Sequence, residues 1–383
     1  MQKNIVILCD GTSNEISGDR TNILRLYGTL LKNDSQLVFY DPGVGTFGAE
    51  NSPFRYKRKA AEILGLATGW GLDKNVKEAY QFLVDNYNER HSDNIYLFGF
   101  SRGAYTARVL AGLIHAIGII RPENSNLIDY AYRAYKDLTN ENNDELSNDD
   151  VFADVRMFER LLEPRRATIQ CLGLFDTVGS VIEFSKRGPR FKYHAMTAEN
   201  PSVISVRHAV AVDERRSMFQ PQLWKKGNYF QKDLFDKNTR QPQDVKEVWF
   251  TGTHSDIGGG HPEKESGLAK ISLSWMIEET GALGLTYDKN TIDKIVLGKS
   301  GSDKYSAPNP DATIHNSLTL GWKIVELVPR RLRKNSTYKG ANLLGLYWLF
   351  SKRRKIPTDA DIHESVYARK GEKQPNLPDR PDN

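Results

Sequence analysis

Short apolar runs alternate along much of the chain with longer segments in which apolar side chains recur every three or four positions. Each apolar run ends in a turn rich in glycine or aspartate, a pattern typical of a parallel strand followed by a helix. The predicted strands are Asn4 to Leu8, Gln36 to Tyr40, Asn94 to Phe98, Thr168 to Leu174 and Glu247 to Phe250. The pattern therefore predicts an α/β fold, with a mainly parallel central sheet and helices on both faces.

Two helices follow from the same pattern. Residues Asp73 to Asn88 carry an apolar stripe at helical spacing. A second, broadly apolar helix begins after Ser101, and we expect it to end at Arg121-Pro122 because proline cannot continue a helix. Both helices are expected to pack against the sheet.

The chain of 383 residues is predicted to form a single domain over residues 1–383. A polar, acidic stretch at Asn140 to Asp150 lies within a predicted helical insertion over residues 122–165. Residues 300–383 are predicted to be a C-terminal elaboration. Residues 181–245 show no clear periodicity, so no elements are predicted there.

Composition excludes several classes of protein. Hydrophobic residues make up 39% of the chain and charged residues 26%, which suits a folded protein with a sizeable core. The 53 basic and 48 acidic residues give a net charge of +5, too modest for a general nucleic-acid surface. The two cysteines, Cys9 and Cys171, lie in apolar runs, so we expect buried thiols and no disulfide framework.

No targeting or membrane-spanning segment is evident. The N-terminus enters a short strand without an apolar signal region, and no apolar stretch reaches the roughly 18 residues that would span a bilayer. We expect synthesis in the cytoplasm without a cleaved signal peptide, which is compatible with export by a specialised secretion system.

A serine lies at the turn between the third predicted strand and the following helix, in Gly99-Phe100-Ser101-Arg102-Gly103. Strand, serine and helix in this order are the context of a nucleophile elbow. Glycine is needed on both sides because a Cβ at Gly99 or Gly103 would meet neighbouring backbone. The helix N-terminus, including the Arg102 N–H, could stabilise an oxyanion. We therefore predict that Ser101 is a nucleophile.

A serine nucleophile needs a histidine base, which follows the elbow in chains of this kind. His254 is the best placed, because it follows the strand ending at Phe250 in a glycine-rich loop. His208 is the nearest rival, although its apolar surroundings favour a buried structural histidine. The other histidines after the elbow are His115, His194, His261, His315 and His363.

A carboxylate must orient that histidine. Asp176 ends the fourth predicted strand and is favoured, since the carboxyl ends of parallel strands meet at the functional edge of a sheet. Asp256 and Asp213 are the alternatives, and Asp256 could instead support the loop of His254.

The turn after the first strand contains Asp10, Gly11 and Thr12. We assign Gly11 and Thr12 to the oxyanion loop, with a simple turn stabilised by Asp10 as the alternative. A metal-dependent site built from Asp10, Asp176, His254 and Asp256 is a further alternative, but no paired-ligand motif supports it. No metal or cofactor is expected.

A segment near the C-terminus combines apolar, aromatic and basic residues, from Leu343 to Lys355. Such a mixture suits contact with anionic lipid, and a core helix with a solvated basic end is the alternative. The predicted membrane contacts are Tyr347, Trp348, Phe350, Lys352, Arg353 and Arg354.

Taken together, these segments resemble the α/β-hydrolase family that includes the catalytic domains of type VI secretion phospholipase effectors. The matching segments are Cys9-Asp10-Gly11-Thr12, Gly43-Val44-Gly45-Thr46, Gly99-Phe100-Ser101-Arg102-Gly103-Ala104, Phe175-Asp176-Thr177-Val178-Gly179 and His254-Ser255-Asp256-Ile257-Gly258-Gly259-Gly260. The resemblance implies an α/β-hydrolase-like fold with Ser101 as nucleophile, Asp176 as acid and His254 as base. It also implies a phospholipid substrate, and a secretion-system carrier or an immunity protein as partner.

The sequence thus predicts a serine hydrolase that cleaves carboxylic esters through an acyl-enzyme, acting as a phospholipase on membrane glycerophospholipids. A soluble carboxylesterase for a small acyl substrate is one alternative. A noncatalytic binding module that retains the elbow is an alternative of another class.

Overall fold

The structure is a computed structural model. It describes residues 2–11, 19–43, 70–138, 157–179, 181–185, 188–192, 194–232, 236–299, 304–319, 322–323, 326, 341–343, 346–348, 351–370 and 376–378.

Parallel strands form the centre of the molecule. In chain order the described strands are β1 (Asn4–Cys9), β2 (Gln36–Asp41), β3 (Asn94–Phe100), β4 (Ile169–Phe175), β5 (Val181–Ser185), β6 (Gly188–Lys192), β7 (Val203–Ala211), β8 (Tyr229–Gln231), β9 (Arg240–Pro242), β10 (Asp244–Phe250), β11 (Ala341–Leu343), β12 (Leu346–Trp348) and β13 (Asp361–Ile362). Seven of them form one sheet in the order β13-β10-β7-β4-β3-β1-β2, and every neighbouring pair is parallel. The other strands form two-stranded antiparallel hairpins.

Helices cover both faces of this sheet. The described helices are α1 (Asn22–Thr29), α2 (Trp70–Asn86), α3 (Arg102–Ile117), α4 (Ile128–Asp137), α5 (His254–Gly258), α6 (Gly267–Ala282), α7 (Lys289–Thr291) and α8 (Glu364–Ala368). Side chains of β1 alternate between the faces: Ile5 and Ile7 join the core formed with α2 and α3, while Val6 and Leu8 join the core formed with α1 and α6. The predicted α/β-hydrolase-like fold, with helices on both faces of a parallel sheet, is confirmed.

The five predicted strands are present within three residues at each end, but the central strand β7 was not predicted. Its residues from Ser205 to Ala211 are all buried, so the alternation that marks a strand with one exposed face is absent. Arg207 and His208 also interrupt its apolar run. Both are paired inside the fold: Arg207 binds Asp244 and Glu279, and His208 contacts a carboxylate on β10.

The helix after the elbow ends earlier than predicted. It stops at Ile117 rather than at Arg121-Pro122, because Gly118 adopts φ 84° and its N–H caps the helix on the Ile114 carbonyl at 2.9 Å. Gly118, rather than Pro122, therefore ends the helix.

The predicted insertion over 122–165 contains α4, preceded by a 3₁₀ turn at Pro122–Leu127. Residues 139–156 of that range lie outside the described residues. Both cysteines are buried and free, as predicted. Among the described residues, no helix is both long enough and apolar enough to cross a membrane.

Candidate active site

Ser101 lies on a strained turn at the carboxyl end of β3. Its φ of 58° and ψ of −118° are rare for a residue with a side chain, which is the geometry of a nucleophile elbow. A Cβ on Gly99 would lie 2.3 Å from the Gly103 carbonyl oxygen, and a Cβ on Gly103 would lie 2.1 Å from the Cys9 carbonyl oxygen. The steric requirement for both glycines, predicted from the sequence, is confirmed.

Backbone hydrogen bonds tie this turn to the neighbouring strand. The Ser101 N–H donates to the Phe175 carbonyl at 3.1 Å, and the Ser101 carbonyl accepts the Tyr105 N–H in the first turn of α3. Arg102 is the first residue of that helix, so its N–H lies at the positive end of the helix dipole. The serine therefore lies beside the residue that precedes Asp176.

Asp176 follows β4 and is completely buried. Its Oδ2 lies 2.6 Å from Nδ1 of His254, and its Oδ1 accepts the Ala211 N–H at 2.9 Å. The structure thus brings together the predicted acid and the predicted base, which are 78 positions apart in the chain. An imidazole with its Nδ1 on a carboxylate presents Nε2 as its free base.

A buried arginine, Arg354, binds the carboxylate of Asp176. Nη1 of Arg354 lies 2.5 Å from Oδ1 of Asp176 and Nη2 lies 3.0 Å from Oδ2, a bidentate pair. Arg354 also donates to the carbonyls of Ala211 and Phe219. Burial by itself would raise the pKa of Asp176, but Arg354 and the bond to His254 hold that pKa well below its usual range. Asp176 is therefore ionised at neutral pH.

This position corrects the sequence prediction for Arg354. We expected it to contact a membrane, but only 1% of its surface is exposed, and its guanidinium is occupied inside the fold. The neighbouring residues Lys352 and Arg353 are exposed. A run of four basic residues gives no local sign of which one points inward.

His254 begins the short helix α5, and its ring lies between two aromatic rings. The ring centroid of Phe100 lies 4.7 Å away and that of Phe219 lies 4.8 Å away. Its Nε2 is buried and has no hydrogen-bond partner among the described residues. Burial lowers the pKa of His254, while the bond to Asp176 opposes that shift. The favoured state is a neutral imidazole next to the elbow.

A second buried carboxylate fixes the backbone of His254. Glu214 accepts the His254 N–H at 3.1 Å and also pairs with Arg216. Burial would raise its pKa, but Arg216, Arg354 and His254 lower it to about 2. Glu214 therefore holds α5 in place as a permanent anion.

The turn after β1 is organised by Asp10. Asp10 accepts hydrogen bonds from Thr21, from Tyr40 and from the N–H of Gly11, the last at 2.6 Å. The contact between the Gly11 N–H and Asp10 favours the turn alternative, and the oxyanion role of Gly11 stays a prediction. Thr12 lies outside the described residues.

Asp256 supports the loop of His254 rather than the imidazole itself. Its Oδ2 accepts both the N–H and the hydroxyl of Thr253 at 2.9 Å, which caps α5. The other alternative acid, Asp213, accepts the Gly252 N–H at 2.8 Å. Of the four residues of the alternative metal site, Asp176 and His254 contact each other, and Asp176 is also held by a guanidinium, while Asp10 and Asp256 each accept hydrogen bonds from other groups.

The rival histidine His208 is a buried structural residue. Its Nδ1 lies 2.8 Å from Glu247, its neighbour on β10, and its Nε2 accepts the Thr177 N–H at 3.2 Å. Both ring nitrogens are therefore occupied. The histidines at 115, 194 and 363 likewise contact a serine or tyrosine hydroxyl.

For the predicted membrane segment, the structure describes two strands of a hairpin, β11 and β12, which exclude the alternative of a core helix for those residues. Tyr347 and Trp348 belong to β12, for which the structure describes the backbone only. Phe350 lies outside the described residues. Arg353 is exposed, and its Nη1 lies 3.4 Å from Oδ1 of Asp213, which is buried. The membrane contact of these residues stays a prediction.

Sequence reasoning assigned Arg354 to a membrane contact rather than to Asp176, and it did not identify Glu214 or Phe219. None of the three belongs to a motif, and Arg354 lies 178 positions from the carboxylate that it binds. Glu214 directly follows the alternative acid Asp213 and lies just after β7, which was not predicted. If β7 had been recognised, Glu214 would have been placed at the carboxyl edge of the sheet.

Comparison with known proteins identifies relatives. Residues 3–279 match the family described as "T6SS, Phospholipase effector Tle1-like, catalytic domain". Among curated proteins, the uncharacterized protein YEL023C of Saccharomyces cerevisiae is 33% identical over 228 residues, which are 57% of this chain and 32% of the yeast protein. This chain thus spans about a third of the yeast relative's length.

Two solved structures are similar at 19% identity. One is an uncharacterized protein from Pseudomonas aeruginosa, with a TM-score of 0.38, covering 75% of this chain and 46% of that one. The other is the Tle1 effector bound to the VgrG spike of the type VI secretion system, with a TM-score of 0.35, covering 70% of this chain and 52% of that one. These two likenesses are weak, and the family match carries the assignment.

Proposed function

The chain belongs to the family of Tle1-like phospholipase effector catalytic domains, and on that premise we propose that it is a serine hydrolase that cleaves carboxylic esters through an acyl-enzyme. The proposed nucleophile is Ser101, the base is His254, and the acid is Asp176. The observation that carries the proposal is the 2.6 Å contact between Asp176 Oδ2 and His254 Nδ1 beside a strained serine elbow.

The proposed reaction has two halves. His254 Nε2 takes the proton of Ser101 as Oγ attacks the ester carbonyl carbon, and it then gives that proton to the departing alcohol oxygen. In the second half, a water molecule gives a proton to the same nitrogen and attacks the acyl carbon, and the proton returns to Ser101. No proton or electron is gained or lost overall, so the reaction needs no cofactor.

The charges around His254 support this order of proton transfers. Asp176 is ionised and holds the Nδ1 proton of His254, which leaves Nε2 as the acceptor. Arg354 acts through Asp176 as a positioning residue, because it fixes both carboxylate oxygens. In hydrolases without bound substrate, the distance from the histidine nitrogen to the serine hydroxyl often exceeds hydrogen-bond length, and it shortens when substrate binds.

The oxyanion is proposed to lie at the N-terminus of α3. The helix begins at Arg102, one residue after the nucleophile, so its first amides and its dipole favour negative charge beside Ser101. Gly11 is the less favoured donor for this role, because its N–H contacts Asp10.

The proposed substrate is a membrane glycerophospholipid, since the family is described as one of phospholipase effectors. The exposed Lys352 and Arg353, with Tyr347, Trp348 and Phe350, are the proposed contacts with anionic lipid. Export by a type VI secretion system, with a carrier and an immunity protein as partners, belongs to the same proposal. So does the assignment of residues 1–383 to one hydrolase domain, with the insertion at 122–165 and the elaboration at 300–383.

A fluorophosphonate probe tests the nucleophile, because it reacts rapidly with activated serines alone. We expect stoichiometric labelling of the wild-type chain, none of Ser101→Ala, and labelling at least about 100-fold slower in His254→Gln. His208→Gln is the matched control, since it removes a buried histidine from the adjacent strand and should leave labelling near the wild-type rate. An unlabelled wild-type chain would indicate a noncatalytic binding module.

Vesicles of phosphatidylethanolamine and phosphatidylglycerol then test the substrate. Fatty acid should be released by the wild-type chain and not by Ser101→Ala. Turnover of short p-nitrophenyl esters, without release of fatty acid from vesicles, would replace the phospholipase by a soluble carboxylesterase.

A further inference from the structure

A second cluster of polar side chains lies beside the candidate active site and has no part in the proposed reaction. It consists of Asp256, His261 and His315, whose candidate ligand atoms all lie within 4.8 Å of one another. We call it the Asp256 cluster. Oδ1 of Asp256 lies 2.5 Å from Nδ1 of His315 and 3.7 Å from Nε2 of His261. The two imidazole rings are stacked, with centroids 3.6 Å apart.

The carboxylate of this cluster is oriented by other groups. Oδ2 of Asp256 accepts the N–H and the hydroxyl of Thr253, and it also accepts the His315 N–H at 3.1 Å. These bonds fix the plane of the carboxylate, and they leave Oδ1 facing the two imidazoles. Asp256 is almost completely buried, so Oδ1 faces the two rings rather than bulk water.

Within the Asp256 cluster, Nε2 of His261 is the atom that the described residues leave unsatisfied. It is buried and has no hydrogen-bond partner among the described residues. At 3.7 Å from Oδ1 of Asp256, it is too far away for a hydrogen bond. Leaving a buried polar atom unsatisfied costs free energy, which a bound ligand would recover.

Nε2 of His315, the ring nitrogen that faces away from the cluster, contacts a carboxylate, as is usual for a metal-bound imidazole. Nε2 of His315 lies 3.0 Å from Oε2 of Glu265, while its Nδ1 points into the cluster. Histidines that bind metals usually donate their other ring N–H to a carboxylate, which fixes the ring and increases its basicity. Glu265 is therefore in the position of a supporting carboxylate.

We propose that the Asp256 cluster binds a divalent transition-metal ion, with Asp256 Oδ1, His261 Nε2 and His315 Nδ1 as protein ligands. Two imidazoles and one carboxylate suit Zn²⁺, which would complete its tetrahedron with water. Zinc bonds of about 2.0–2.1 Å hold neighbouring ligand atoms about 3.3 Å apart. The two distances from Asp256 Oδ1, 2.5 Å and 3.7 Å, lie on either side of that spacing.

The role of this ion is structural. Asp256 lies two residues after His254 on α5, and His315 belongs to a distant segment, residues 304–319. An ion held by both would fix the helix that carries His254 against that segment. The catalytic acid Asp176 is bonded to Arg354 and His254, so the ion and the proposed reaction use different carboxylates.

Zinc titration of the full chain, prepared without an affinity tag and stripped by a chelator, tests the proposal. We expect about one tight Zn²⁺ site per chain by calorimetry and by elemental analysis after gel filtration. His261→Ala and His315→Ala should each weaken binding at least about 100-fold, and Glu265→Gln by about 10–100-fold. The matched control His363→Ala removes a histidine bonded to Ser365, outside the cluster, and should bind zinc as the wild type does.

Cobalt provides a readout that depends on no variant. Co²⁺ bound to the wild-type chain in a site with two nitrogen and two oxygen ligands should give the intense visible absorption of tetrahedral geometry, and zinc should displace it. The proposal fails if the wild type binds zinc no more tightly than the His261→Ala/His315→Ala double variant, or if His363→Ala weakens binding as much as His261→Ala does. The first result would mean that His315 is an imidazolium paired with two carboxylates, and the second would mean that zinc binds outside the Asp256 cluster.

Discussion

Replacing Arg354 by methionine tests the centre of the candidate site. The substitution keeps much of the side-chain volume and removes the cation that holds Asp176. Arg354 is 1% exposed and binds both oxygens of that carboxylate, at 2.5 Å and 3.0 Å. Breaking a buried ion pair by removing one partner destabilises a protein by about 3–5 kcal/mol, because the other charge stays buried. We expect a loss of this size in Arg354→Met.

The variant should also slow the activation of the nucleophile. Without the guanidinium, Asp176 can rotate, and a displacement of about 1 Å in a catalytic group can reduce a rate about 100-fold. We expect fluorophosphonate labelling of Ser101 to slow by about 10–100-fold in protein that is still folded. Arg354→Lys keeps the charge but loses the bidentate fork, so both its stability and its labelling rate should lie between those of the wild type and Arg354→Met.

Urea unfolding followed by tryptophan fluorescence measures the first effect, and labelling in the absence of urea measures the second. The nearby Lys352→Met is the matched control, since Lys352 is exposed. It should change stability by no more than about 0.5 kcal/mol and leave labelling unchanged. If Arg354→Met and Lys352→Met unfold alike and label alike, the assignment of Arg354 as a positioning residue is wrong.

Three other predictions follow from packing and charge. Gly103→Ala should lower the free energy of unfolding by about 3 kcal/mol or more, because the new Cβ would lie 2.1 Å from the Cys9 carbonyl oxygen. Thermal unfolding measures this loss, and a variant as stable as the wild type would contradict the close approach. Asp41 is buried, which raises its pKa to about 6 from 3.8, so the contribution of Asp41 to the stability of the wild type falls as pH rises from about 4 to 6, and Asp41→Asn lacks that contribution. The stability of Asp41→Asn relative to wild type should therefore increase by about 2 kcal/mol between pH 4.5 and pH 7.5 in urea titrations, whereas a difference independent of pH would refute the raised pKa. His208→Gln should lower stability by about 1–3 kcal/mol, since Glu247 loses its buried partner, yet leave labelling near the wild-type rate; a fully stable variant would show that this contact is dispensable.

The strand and helix patterns could be predicted where one element has a clear period or a clear stop. β1 to β4 and β10 were found because each is an apolar run followed by a turn, and the predicted bounds differ from the structure by no more than three residues. β7 was missed because it lies between β4 and β10 with both faces covered, and because Arg207 and His208 interrupt its apolar run. The carboxylates that pair with these two residues in the core lie on other elements.

The elbow at Ser101 was predictable for a similar reason. Gly99 is required by backbone atoms four and five positions away, so the local sequence carries that part of the signal, whereas Gly103 is required by the Cys9 and Asp10 carbonyls at the end of the adjoining strand. The pairing of Asp176 with His254 was chosen from strand order, because parallel strands bring their carboxyl ends to one edge. The same rule could not distinguish Gly11 as an oxyanion donor from Gly11 as a turn residue.

The sequence by itself determined the parallel α/β architecture and the position of the serine turn, because the first depends on periodicity and the second on the steric requirement for glycine at Gly99, four positions before Gly103. Tertiary structure alone decided that Arg354 points inward to Asp176 while Arg353 faces solvent, and that His315 meets His261 beside Asp256. These pairings join side chains up to 178 positions apart, and their energies depend on distance and burial in the folded chain, which no local pattern of residues encodes.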